Sequence, residues 1–150
     1  MNWRYCSIVT LLAGFTVPVF ASGPVSPHDA RQEVEMPTLQ RSLMREDMVH
    51  HLAALNEVLV LLNAGKLKES ADVAEADMGL SSMGKHAART QGKGPGRFMP
   101  DGMRAIGIGM HTSASEFAGI ARKGDRAAAY NALESVTGAC VACHAGYRLK

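Results

Sequence analysis

The chain has 150 residues, with 16 basic and 14 acidic side chains for a formal charge of +2. So even a balance gives no electrostatic footprint for nucleic acid, and the length suits one domain with one core. Aromatics are scarce at 5%, whereas methionine occurs nine times and cysteine three times.

Arg4 supplies a short positive start, and an apolar run from Cys6 to Phe20 follows, broken only by Ser7, Thr10, Gly14, Thr16 and Pro18. Val19-Phe20-Ala21 offers compact residues at the −3 and −1 positions of a cleavage site. Residues 1–21 therefore read as a signal peptide cleaved after Ala21, too short and interrupted for a membrane span. Cleavage would remove Cys6 and the only tryptophan, Trp3, leaving 129 residues with fifteen basic and fourteen acidic groups. No transmembrane segment is expected beyond it.

A short lead, 22–37, contains several prolines. From Thr38, a plausible N-cap, Leu39, Leu43, Met44, Met48, Leu52, Leu55, Leu59 and Leu62 repeat at helical spacing until Asn63-Ala64-Gly65. A weaker second helix is expected over 66–86, with Leu67, Val73, Ala74, Leu80 and Met83 on its apolar side and Gly79 and Gly84 against it. Residues 87–102 hold Gly92, Gly94, Pro95, Gly96, Pro100 and Gly102 beside Arg89, Lys93 and Arg97, and read as a basic, mobile loop. A third helix follows over 103–123, burying Met103, Ile106, Met110, Ala114, Phe117 and Ala121. Gly124 ends it, and Asp125 caps a fourth over 126–148, whose face carries Tyr130, Leu133, Val136, Thr137, Cys140 and His144. Short junctions at two of three places predict an all-α, antiparallel four-helix bundle over 38–150.

Cys140-Val141-Ala142-Cys143-His144 lies six residues from the end of the sequence. C-x-x-C-H is the pattern of covalent haem attachment: two thiols add to the porphyrin vinyl groups, and the histidine ligates iron as the proximal axial ligand. On a helix, positions 140, 143 and 144 share one face. A thioredoxin-like dithiol would need a βαβ context, and a structural zinc site would need four ligands. Neither is visible in the sequence, so one haem c per chain is the expected cofactor.

Cys140 to His144 with the following Ala145-Gly146-Tyr147-Arg148 resembles the end of the class II c-type cytochromes, the cytochrome c-prime family and its low-spin relatives. Only these last nine residues match residue by residue; helix order and motif placement extend the likeness over the mature chain. The resemblance implies a bundle whose first helix supplies the residue facing the iron opposite histidine. A methionine there gives six-coordinate iron suited to a one-electron carrier, and a bulky apolar residue leaves iron open to small gases such as NO or CO. Antiparallel geometry also brings 44–51 opposite the motif. That window contains Met44, Met48, His50 and His51, and Met48 is the preferred distal ligand with Met44 the runner-up.

His50 and His51 read as the polar flank of helix one, His111 as a core-edge or solvent residue, and His28 and His86 as exposed loop histidines. Arg45 reads as a surface arginine within reach of a haem propionate. The expected function is a non-enzymatic, periplasmic electron carrier with transient redox partners, with gas binding the alternative and peroxidase chemistry disfavoured. Arg89, Lys93, Arg97, Arg148 and Lys150 could steer an acidic partner. A homodimer through helices one and two is compatible with the family.

Overall fold

The computed structural model describes residues 29–150; the leader and His28 lie outside the described residues. Four long helices carry the fold: α1 (Thr38–Asn63), α2 (Leu67–Asp77), α4 (Asp101–Arg122) and α5 (Arg126–Gly146), with a single-turn α3 (Ala87–Thr90) between the second and third of them. Two three-residue strands, β1 (Gln32–Val34) and β2 (Tyr147–Leu149), pair in parallel and bring the described start of the chain beside its end. The arrangement is compatible with the expected helical bundle.

All four long helices contribute to one core. Ala54, Val58 and Leu62 of α1, Ala71 and Ala74 of α2, Ala114, Phe117, Ala118 and Ala121 of α4, and Ala129, Leu133 and Val136 of α5 are buried together. Phe117 is its largest fully buried side chain, and the many alanines let the backbones approach closely around that ring. The α1–α2 and α4–α5 junctions are short, and Gly65 and Gly124 take positive φ at 76° and 83°, closing the preceding helices with left-handed turns. Asp125 caps α5 as expected, its carboxylate accepting from the Ala128 amide at 2.9 Å.

Several expectations need correction. Pro37, not Thr38, occupies the N-cap position of α1, and no side chain caps it. The leucine stripe of α1 is partly out of phase: Leu39, Leu52 and Leu59 are exposed, and Ala54 and Val58 take the buried positions. The second helix ends at Asp77 rather than near 86, giving way to a 3-10 turn at Leu80–Ser82. At Gly79 a Cβ would lie 2.7 Å from the Glu75 carbonyl oxygen, so the chain turns where only glycine fits. Leu80 and Met83 consequently lie exposed.

Segment 87–102 is more ordered than a plain loop: α3 and a 3-10 turn at Pro95–Phe98 occupy much of it, with Thr90 and Pro95 buried. Gln40 of α1 donates through Nε2 to the Lys93 carbonyl at 3.0 Å. α5 ends at Gly146, two residues before its expected limit, because Tyr147–Leu149 joins the sheet. The register sets Glu33 opposite Arg148, and Arg148 Nη2 meets Glu33 Oε2 at 2.6 Å. Among the described residues no helix is long and apolar enough to cross a membrane.

Candidate functional site

A cavity of about 620 Å³ opens where α1, α4 and the end of α5 meet the 82–99 connection. The size is that of a typical small-molecule or cofactor pocket. Its walls carry Met44, Met48, Met83, Met99, Met103 and Met110, so thioethers supply much of the apolar lining. Four arginines, Arg31, Arg45, Arg104 and Arg148, lie at the same cavity, with Asp47 and Lys85.

The residues singled out in the sequence converge here to a large extent. Cys143 and His144 line the cavity together with Met44 and Met48, although more than ninety residues separate them in the chain. Helical spacing on α5 gives this meeting its cause, and β2 holds the end of that helix in place. Cys140 lies one turn earlier, half-buried and packed against the main core, with its thiol donating to the Val136 carbonyl at 3.4 Å. Among the described residues neither cysteine has a disulfide partner. Burial pushes both thiols above their ordinary pKa, and the nearby Cys140 adds to the effect on Cys143. Both are therefore protonated thiols at neutral pH rather than reactive thiolates.

On the opposite wall the two methionines differ. Met44 is buried in a second cluster with Val34, Met36 and Met103, whereas Met48 is half-buried and packs on its edge. Gly107 gives a further opening. It is half-buried on α4 and lines the cavity, and a Cβ built there would meet nothing within 4 Å. A glycine inside a helix costs about 1 kcal/mol relative to alanine, and here no neighbouring side chain fills the space gained.

The histidines are placed differently from expectation. His50 is exposed, as anticipated, but His51 is half-buried and lines the cavity. His86 is buried rather than exposed, and its Nε2 donates to Asp47 Oδ1 at 2.9 Å. Lys85 Nζ reaches the same oxygen at 2.8 Å. Burial opposes the charged form of Asp47, but the hydrogen bonds from Lys85 and His86 outweigh it and hold the carboxyl below its usual range. His111 also lines the cavity, with its ring 5.8 Å from that of His51 and nearly perpendicular to it. Burial, then the neighbouring His111, lowers His51 to about 4, so its imidazole is neutral at pH 7. These imidazoles lie sixty residues apart in the chain, and no local pattern in the sequence pairs them.

The basic residues are largely engaged. Arg89 Nη1 approaches Glu46 at 3.4 Å, Lys150 meets Glu35, and Arg45 Nη2 donates to the Lys150 carbonyl at 3.4 Å. Arg148 is held through Nη2 by Glu33, while its buried Nε has no hydrogen-bond partner among the described residues. Asp29 lies 3.5 Å from that nitrogen, close enough for charge attraction but outside hydrogen-bond geometry. Val49, Leu52 and Val60 form an exposed apolar face on α1. Among the described residues no three His, Cys, Asp or Glu side chains converge as a metal site. No family model, curated protein or solved structure matches the chain.

Proposed function

We propose that this chain is an exported c-type cytochrome, holding one haem through Cys140 and Cys143 and acting as a soluble one-electron carrier. The observation that carries the reading is the meeting of Cys143 and His144 with a methionine-lined cavity of about 620 Å³, Cys140 lying one turn earlier against the main core. A flat, largely apolar group with a polar edge suits that lining. Among the described residues the two thiols are unbridged, a Cβ at Gly107 would meet nothing within 4 Å, and the buried Arg148 Nε lacks an acceptor of the kind a propionate could provide. The residues present therefore fit a haem.

When bound, haem supplies one-electron chemistry, and the protein's task is binding, orientation and electrostatics. Cys140 and Cys143 would hold the group through their thiols on α5, and His144 would offer its imidazole to the iron. Met48 is the preferred distal ligand, because it keeps an accessible thioether on the cavity wall. Met44 is committed to the second apolar cluster and is the runner-up. The methionine and alkyl lining excludes water, while Arg45, Arg104 and Arg148 are the cations available to a propionate edge. A carrier of this kind works through small, transient contacts with periplasmic redox partners.

The test is expression of the full sequence with haem-ligation machinery, followed by a visible spectrum and acid–acetone extraction. A pigment that resists extraction, and is lost in Cys140→Ser/Cys143→Ser, is the expected result; a colourless product refutes the proposal. Met48→Ala should convert low-spin ferric iron to high-spin. A wild-type spectrum that is already high-spin and shifts with carbon monoxide would instead favour the gas-binding alternative.

A further inference from the structure

The two imidazoles on the cavity wall have a role that haem attachment does not require. His111 Nδ1 lies 2.7 Å from the Met78 carbonyl oxygen. A carbonyl can only accept, so Nδ1 carries the proton, and Nε2 is left with a free lone pair. Ser82 Oγ, 3.4 Å from the same Nδ1, already donates to the Gly79 carbonyl and can only reinforce that tautomer. An imidazole whose outer nitrogen is anchored on a backbone carbonyl is the usual form of a metal-ligating histidine.

His51 faces it from α1. Two imidazoles sharing one ion at N–metal distances of roughly 2 Å keep their ring centres about 5–6 Å apart. The observed separation of 5.8 Å, with planes at 83°, is in that range. Met110 precedes His111 on α4, but neighbouring helical positions diverge and Met110 packs into the main core, so the two imidazoles are the donors that the geometry brings together. Two imidazoles offer a pair of nitrogen donors, which suits a cuprous ion content with two ligands better than hard cations that need carboxylates or zinc that takes four.

We propose that His51 and His111 form a binding site for a cuprous ion at the inner wall of the cavity. The site draws on α1 and α4 and does not depend on the Cys-x-x-Cys-His segment, so it stands or falls separately from the cytochrome reading. Lys85, Asp47 and His50 are the charged or titratable groups closest to His51 that affect its charge, beside His111 itself. None of them is needed as a ligand.

The test is an anaerobic titration with cuprous ion against a competing chelator, on two forms of the full chain. One is the pigment-loaded protein, whose thiols are consumed as thioethers; the other is Cys140→Ser/Cys143→Ser, which removes competing thiols. Visible colour reports haem attachment independently of copper binding. The expected result, in at least one form, is one ion per chain. Affinity should fall at least about tenfold in His51→Ala and in His111→Ala and stay unchanged in His50→Ala. Circular dichroism checks that each variant keeps its helices. If neither form binds one ion, or if His50→Ala weakens binding as much as the other two, the proposal is overturned.

Discussion

Removing the Asp47 carboxylate should loosen the hold of α1 on the 82–99 wall of the cavity, which Gln40 and Glu46 also tie to that helix. In Asp47→Ala the His86 Nε2–H, now bonded at 2.9 Å and on a residue only 9% exposed, loses its acceptor. An unsatisfied buried donor costs about 1–3 kcal/mol. Lys85 is 35% exposed, so solvent screens its pair and the loss adds no more than about 0.5 kcal/mol. The expected destabilisation is therefore about 1–3.5 kcal/mol, or roughly 3–14 °C in Tm for a domain of this size. Asp47→Asn retains an acceptor and should lose about half as much.

Urea denaturation at several pH values provides the assay. The folded carboxyl titrates below its unfolded value, so its contribution is complete above about pH 4. It disappears as pH falls through the lowered folded value, and wild type and Asp47→Ala should converge there. An alanine variant within about 0.5 kcal/mol of wild type at pH 7 would refute the account, as would a gap that widens toward pH 3.

Other consequences can be measured in parallel. Phe117→Ala empties the centre of a core whose other members are mostly alanines, and should cost about 3–5 kcal/mol in urea denaturation; less than 1 would place the core elsewhere. His51 should titrate near 4 by NMR. Because the unfolded histidine takes up its proton near 6.5 and the folded one does not, stability should fall as pH drops from about 6.5 to 4, and His51→Gln should remove that slope. Gly107→Ala should preserve or raise stability by up to about 1 kcal/mol, since its Cβ meets nothing, whereas Gly107→Trp should fill the cavity and lower pigment yield. Equal pigment in both variants would show that the cavity is not where the cofactor sits.

How much of this could be read from the sequence depended on the range of the interactions involved. Helices α4 and α5 were legible because Met103, Met110, Ala114, Phe117 and Ala121, and then Leu133 and Val136, repeat on single faces that the core does bury. In α1 the same rule chose the wrong phase. Apolar residues surround that helix, and packing selects small Ala54 and Val58 for close approach while Leu52 and Leu59 face outward. The three-residue strands are too short for alternation to show, and their pairing joins positions 115 residues apart. His86 looked like a loop residue because its partner, Asp47, is thirty-nine positions away. The Cys-x-x-Cys-His segment was legible as local chemistry, and the convergence of Met48, His51 and His111 near it was not, because three elements had to meet first.

The pairing of β1 with β2 bears on how the molecule is assembled. Because it joins the described start of the chain to its end, it is among the contacts with the greatest loop-closure cost, and should form late in folding. Until then the last turn of α5 is untethered and the rim near Arg31 and Arg148 stands ajar. Zipping those six residues together closes that rim and fastens the two ends of the described chain to each other.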